Sequence, residues 1–228
     1  MARSSEPLSA GTEEYLEAIY RLSASGPIEA GALARHLKVA PASVTGMLKR
    51  LAERTLIHYQ RYRRVSLTPT GQRAAQSLIR RHRLSERLCT DLLGMSWEEA
   101  HEAACKLEHV VVGALAERVA ARLGGATTTC PHGHSLTVGK DVPTLGLDEL
   151  PAPTRTKVIR VADEDRELLR YLAEIGLKPG AAVKVAAHEP FGGPVTIECG
   201  GRSRAIAREV AAKVRVRAPR PPRRTRAT

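Results

Sequence analysis

Residues 41–67 read PASVTGMLKRLAERTLIHYQRYRRVSL. In the first half, Val44, Met47, Leu48 and Leu51 recur at helical spacing behind Pro41, which predicts a helix over 41–53. In the second half, Leu56, Ile57 and Tyr59 lead into a polar, basic tip at Gln60–Arg64. Val65 and Leu67 follow with the alternation of a strand, so the segment predicts a β-hairpin. Working upstream, residues 29–37 predict a short helix with Leu33, Ala34 and Leu37 inward, joined to 41–53 by a tight connection at Lys38–Pro41. Residues 11–24 predict a first helix, carrying Tyr15, Leu16, Ile19, Tyr20 and Leu22 on one face with Thr12 placed to cap it, before Pro27 breaks the pattern. Helix, short turn, helix and basic hairpin in this order are the layout of a winged helix-turn-helix, whose second helix enters the major groove while the hairpin lies on the DNA backbone. The exposed side of 41–53 then offers Ser43 and Thr45 as small hydroxyls, Gly46 for close approach, and Lys49 and Arg50 for phosphates. Arg61, Arg63 and Arg64 at the wing tip suit phosphate or minor-groove contact. The first turns of the helix lack Asn, Gln and Arg, so base readout would rest on hydroxyls, apolar contact and DNA shape. Any one of these arginines read alone is an ordinary solvated residue. Their grouping on one hairpin directly after a helix pair favours DNA.

The charge balance agrees. With 36 Lys/Arg against 24 Asp/Glu the 228-residue chain carries +12, which favours a polyanionic partner. Seven basic and no acidic residues lie from Lys213 onward. The stretch 47–87 adds eleven basic residues against Glu53 and Glu86, so the excess is not confined to a tail. Aromatic residues are 3% of the chain, leaving Leu, Val, Ile and Ala to fill the core. The N-terminal stretch mixes acids into its apolar positions, unlike a secretory leader, and no apolar run is long enough to span a bilayer. The expected compartment is the cytoplasm, with no membrane partner. Cys89, Cys105, Cys130 and Cys199 form no C-x-x-C pair and read as thiols.

Beyond the hairpin, a long helix is predicted from near Pro69 to about Leu93, capped by Thr68 or Thr70 and stopped by Gly94. A second helix is predicted over 97–121. Residues 126–156, rich in Pro, Gly and Thr, read as a connection with a short helix at Leu147–Leu150. From 156 the character changes: KVIRVA, a helix at Asp163–Ile175, then VKVAAHEP, PVTIECGG and AIAREVAAKVRVR, short strands whose spacing suggests a small barrel. The expected division is a winged helix-turn-helix domain at 1–74, a helical metal-binding and dimerisation domain at 75–142, a linker at 143–155, a small SH3-like β-barrel at 156–217, and a basic disordered tail at 218–228.

The sharpest chemical feature is a set of donors on helices. In WEEAHEAACKLEHVV, the residues His101, Cys105, Glu108 and His109 stand at i, i+4, i+7 and i+8, one stripe of a continuous helix. His82 and Glu86 are four apart on the preceding helix, and Glu14 and Glu17 three apart near the N-terminus. Carboxylate, imidazole and an occasional thiolate suit Mn²⁺ or Fe²⁺, and so few thiolates disfavour a structural zinc site built on cysteine alone. Cys105 or either histidine alone reads as an ordinary structural residue. The stripe as a whole does not, because burying Glu108 and His109 beside Leu107, Val110 and Val111 without a counter-ion is costly. Periodicity does not show that Glu14 faces the same centre. Cys130, His132 and His134 in TTTCPHGHSL are further candidate ligands, with a spacing that carries little weight by itself.

The segments TEEYLEAIYRL, APASVTGMLKRL, LTPTGQRAA, RRHRLSERLCTDLLG and HEAACKLEHV resemble the diphtheria-toxin-repressor family of iron- and manganese-dependent repressors, and the resemblance covers nearly the whole chain. It implies a repressor that binds palindromic operators of metal-uptake genes as a homodimer, with two dimers per operator in some arrangements, and uses two ions per subunit as co-repressor. One site would comprise Glu14, Cys105, Glu108 and His109, the other His82, Glu86 and His101. Glu17 with His82 would contribute to the closely spaced ion pair of the manganese-responsive branch. Glu14, Glu17 and the segment PASVTGM match that branch, while Cys105 matches the iron-responsive one. A carboxylate at position 14 hardens the pocket, so Mn²⁺ is the expected ion, with Fe²⁺ the alternative. The C-terminal segment also resembles the small ferrous-transport-associated module, through LAEIGLKPG and EPFGGPVTI. In iron-responsive members that domain donates a Glu and a Gln. Here Asp165 and Leu168 stand at those places, with Asp163, Glu164 and Glu167 nearby. No catalytic constellation accompanies the donors, since HEAAC has Cys where the second His of H-E-x-x-H would stand. The chain is therefore not read as a hydrolytic metalloenzyme. A metal-independent architectural protein and a metal store are the other readings, separated by metal-dependent affinity and by preference for operator over random DNA.

Overall fold

The computed structural model describes residues 8–23, 26–60, 64–124, 128–162 and 165–217. The chain forms two compact units, residues 1–82 with 108–113 and residues 83–107 with 114–228.

In the first unit three helices, α1 (Ala10–Leu22), α2 (Ala30–Leu37) and α3 (Pro41–Glu53), precede the short strands β1 (Ile57–His58) and β2 (Ser66–Leu67). The apolar positions that set the helical periodicity are the ones that pack: Leu16, Ile19, Leu33, Val44, Leu48 and Leu51 are almost fully buried in one core with Ile57 and Val65. The α2–α3 turn is tight because Lys38 takes a left-handed conformation, φ 54°, and its amide closes back on Arg35. Pro41 opens α3 at the position where its missing N–H is harmless. The wing pairs β1 with β2 antiparallel, Ile57 opposite Leu67, and Ile28 adds a bridge to Val65. Arg61 and Arg63 lie outside the described residues. Helix α1 starts two residues before Thr12, which is buried in the first turn with its hydroxyl 2.8 Å from that of Ser9, the capping position.

Helix α4 (Pro69–Arg87) continues into a single π-helical stretch, Leu88–Leu92, and ends at Gly94, φ +67°. Thr68 caps α4 through Oγ1, which accepts from the Gly71 amide at 3.0 Å. Gly71 is required by close approach: a Cβ there would sit 1.8 Å from the Leu56 carbonyl oxygen. The helix predicted over 97–121 is two, α5 (Trp97–Leu107) and α6 (Gly113–Leu123), separated by a turn at 108–112.

The second unit contains the C-terminal sheet. Its strands are β3 (Thr144–Gly146), β4 (Thr154–Val161), β5 (Ala182–His188), β6 (Val195–Cys199), β7 (Arg202–Ile206) and β8 (Val214–Arg217), with helices α7 (Arg166–Glu174) and α8 (Arg208–Lys213) between them. The order is β3-β8-β4-β5-β6-β7. The expected SH3-like barrel is therefore corrected to an open, six-stranded antiparallel sheet. Among the described residues β3 pairs only with β8 and β7 only with β6. Register shifts in the β4–β8 and β5–β6 ladders are irregularities of the kind that bend and twist a sheet, but they do not bring the two edges together. Helical side chains cover the apolar face instead: Leu169 and Leu172 of α7, Leu147 and Leu150, and Ala211 of α8 share one core with Val158, Val183, Val185 and Ile197. Short-strand spacing reports strands and turns, and it is blind to whether the last edge finds the first.

Candidate metal centre and nucleic-acid interface

In the first unit α1, the end of α4 and the 108–113 turn bring carboxylates and imidazoles together. Glu108 is buried at 3% exposure, and its Oε2 lies 2.5 Å from Nδ1 of His82, itself 2% exposed. His109 is flanked on both ring nitrogens: Nδ1 is 2.6 Å from Glu13 Oε2 and Nε2 is 3.6 Å from Glu108 Oε1. The other oxygen of Glu13 receives Arg81 at 2.6 Å. Burial pushes the Glu108 carboxyl above its ordinary value; His82 beside it opposes the rise and the Glu17 charge adds to it. A carboxyl held up in this way is one that a cation would deprotonate on binding.

Glu13 was not among the residues singled out from sequence, and Glu14 beside it is exposed. Glu17, a turn beyond Glu13, pairs with Arg21 at 2.7 Å. The signal was available in the spacing. Glu13 and Glu17 stand at i and i+4, on one stripe, whereas adjacent residues diverge by about 100° around a helix.

In the second unit Glu86 is fully buried. Its Oε1 lies 3.3 Å from Nδ1 of His101 and 2.8 Å from Nδ1 of His132. Cys130, His132 and Glu86 are all buried, and a ligand atom from each lies within 4.8 Å of the others. Cys105 is exposed on α5, with its Sγ 3.8 Å from Nε2 of His101. The stripe read from His101 to His109 does not run on as a helix face, because α5 ends at Leu107 and Glu108 and His109 belong to the turn. The chain thus carries two clusters of His, Glu and Cys side chains suited to metal coordination. The first offers oxygen and nitrogen, the second oxygen, nitrogen and sulfur, and both donor sets suit a divalent transition ion.

Near α7, Asp165 caps the helix, its Oδ1 accepting from the amides of Glu167 and Leu168 at 3.1 Å each. Leu168 packs against the sheet core and has no donor to offer. Glu167 is exposed. Asp163 and Glu164 lie outside the described residues.

On the reading side, Ser43, Gly46, Lys49 and Arg50 are exposed along α3, and Arg64 is exposed at the wing. The Thr45 hydroxyl donates back to the Pro41 carbonyl at 3.1 Å, so any base contact from it would exchange that bond. Among the described residues no helix is long and apolar enough to cross a membrane.

Three family models match in succession: iron dependent repressor, N-terminal DNA binding domain, over residues 7–65; iron dependent repressor, metal binding and dimerisation domain, over 68–136; and FeoA domain, over 145–218. The chain is 32% identical over 223 residues to the iron-dependent repressor IdeR of Mycobacterium tuberculosis, covering 90% of this chain and 96% of that one. The diphtheria toxin repressor of Corynebacterium diphtheriae is 33% identical over 141 residues, 61% of this chain and 58% of that one. Among solved structures, a manganese-dependent transcriptional repressor in complex with manganese aligns with a TM-score of 0.82 at 28% identity, covering 90% of this chain and 98% of that one. ScaR with bound Zn²⁺ aligns with a TM-score of 0.78 at 29% identity, covering 90% and 98%. The chain belongs to the diphtheria-toxin-repressor family of metal-dependent transcriptional repressors. It is a DNA-binding regulator of a dimerising family, not an enzyme.

Proposed function

We propose that this protein is a manganese-dependent repressor of the cytoplasm that binds palindromic operator DNA as a homodimer when loaded with metal and controls metal-uptake genes. The observation that carries the reading is the buried convergence of His82, Glu108, His109 and Glu13. It joins the first helix of the reading head, α1, to the 108–113 turn through side chains that a cation would draw together. One ion is held by α1 carboxylates, drawn from Glu13, Glu14 and Glu17, with His82, Glu108 and His109. The second is held by Glu86 and His101. The bound ion supplies positive charge that cancels the mutual repulsion of the carboxylates. Fixing α1 in this way sets the reading head for two half-sites related by the dimer axis. Exposed Leu92, Leu93 and Leu115 are the kind of apolar surface a dimer covers.

The oxygen- and nitrogen-only donor set of the first unit favours Mn²⁺, in keeping with the manganese repressor of similar fold. Iron(II) is the second reading, favoured by the identity to iron-dependent repressors and by Cys105. The test is an operator-binding titration with Mn²⁺, Fe²⁺ and Zn²⁺ under anaerobic, buffered-metal conditions at fixed salt. Mn²⁺ is expected to raise operator affinity at free concentrations where the chelated protein shows none. Equal affinity of chelated and Mn²⁺-loaded protein would overturn the reading, and a response to Fe²⁺ alone would replace Mn²⁺ by Fe²⁺.

A further inference from the structure

The loop at 128–136 supplies two buried donors that the family resemblance does not assign. His132 is fully buried, and its Nε2 faces the Trp97 carbonyl at 3.1 Å. A carbonyl only accepts, so Nε2 carries the proton, and in the neutral ring Nδ1 carries the lone pair. That Nδ1 lies 2.8 Å from Glu86 Oε1, yet it has no hydrogen-bond partner, because the carboxylate stands off its in-plane direction. Two acceptors held this close repel each other unless a positive centre is shared between them. Donors that share one ion stand roughly 3 Å apart and each aims at a third point. The Cys130 thiol is buried at 2% exposure and lies in the same group. The indole of Trp97 stacks on His132 with centroids 5.2 Å apart, closing an apolar wall of the kind that shields metal sites from solvent.

We infer that Glu86, Cys130 and His132, with His101 as fourth donor, form a closed, thiolate-containing site for a divalent ion of borderline softness such as Zn²⁺ or Co²⁺, in preference to Mn²⁺. One carboxylate, one thiolate and two imidazoles satisfy a tetrahedral ion with no open position, the signature of a structural site. Binding releases the thiol proton of Cys130. The loop is already fastened to the C-terminal sheet: the His132 carbonyl accepts from the Val161 amide at 3.0 Å, and His134 Nε2 donates to the Val161 carbonyl at 2.9 Å. A side chain at Gly133 would collide with the backbone of Ile159. An ion here therefore pins strand β4, through the loop, to Glu86 of α4 and His101 of α5.

This deepens the proposed function at the second ion and rests on Glu86 holding it. The experiment is Co²⁺ titration of the full chain and of the variants Cys105→Ser, Cys130→Ser and His132→Gln, read by the thiolate-to-cobalt charge-transfer band. The band is expected in the parent and in Cys105→Ser, and is expected to be lost in Cys130→Ser. Affinity at this site should fall by more than roughly tenfold in His132→Gln. X-ray absorption of Zn²⁺-loaded Cys105→Ser should retain a sulfur ligand, a measurement that does not depend on Cys130→Ser folding. A band that survives Cys130→Ser, or zinc without sulfur in Cys105→Ser, overturns the inference. If metal-dependent operator binding persists in that case, the proposed function stands without it.

Discussion

Glu13 and Glu14 are sequence neighbours with different surroundings. Glu13 spans Arg81 and His109 at 2.6 Å each, so it orients a candidate ligand whether or not it touches an ion itself. Glu13→Ala should weaken Mn²⁺ binding by about tenfold or more, the usual effect of removing the partner that orients a metal-binding histidine, as measured by titration against a competing chelator. A second expectation concerns Glu108, whose carboxyl is pushed up by burial. Without metal its raised value stabilises the fold below the unfolded carboxylate range, and that contribution is lost as pH rises through the folded value. With metal the sign reverses, because the ion must displace the proton. The rise in melting temperature on adding Mn²⁺ should therefore grow between about pH 5 and about pH 8, and Glu108→Gln should flatten that dependence. From sequence, the donor types were readable at His82, Glu86, His101, Glu108 and His109. Which donor meets which was not, because pairing depends on where α5 stops, and Leu107 followed by Glu-His-Val-Val carries no Gly or Pro to announce the break.

At the level of elements, local chemistry and structure agree where one short-range rule decides. Pro41 opens α3, Thr68 caps α4 and Gly94 ends the stretch that follows, as the sequence leads one to expect. Thr68→Ala should cost about 1 kcal/mol and Gly71→Ala about 3 kcal/mol, the larger loss because a methyl group at 71 meets backbone at 1.8 Å and cannot be relieved by a rotamer. Chemical denaturation of the two variants measures both. The connection at 126–156 was read as a linker from its Pro, Gly and Thr content. It nevertheless includes β3, and its segment at 130–134 is held against β4. Composition registered the absence of regular helix there, but long-range hydrogen bonds decide whether such a segment is ordered.

At the scale of the whole chain, the net charge of +12 should appear as a steep salt dependence of DNA binding. Lys49→Ala and Arg64→Ala should each reduce the slope of log affinity against log salt by about 1, without changing preference among operator variants. Ser43→Ala should instead alter that preference. Removing residues 218–228 should weaken binding to random DNA more than to the operator. The basic character was readable because charge is additive along a chain. The closure expected of the C-terminal domain failed because it depends on two strands, β3 and β7, that are more than fifty residues apart in sequence.

That sheet ends on β7, whose second side carries no ladder among the described residues. An unfinished border of this kind is a landing strip for any foreign extended peptide, and proteins defend such borders with charge. Arg202 and Arg204 stand on this strand, Arg202 exposed and Arg204 half-buried, where they would repel a second copy of the same arginine-bearing edge. Replacing both with valine should turn a soluble chain into one that accretes with time and concentration, a change light scattering would register while the far-ultraviolet spectrum of the fresh protein stays the same.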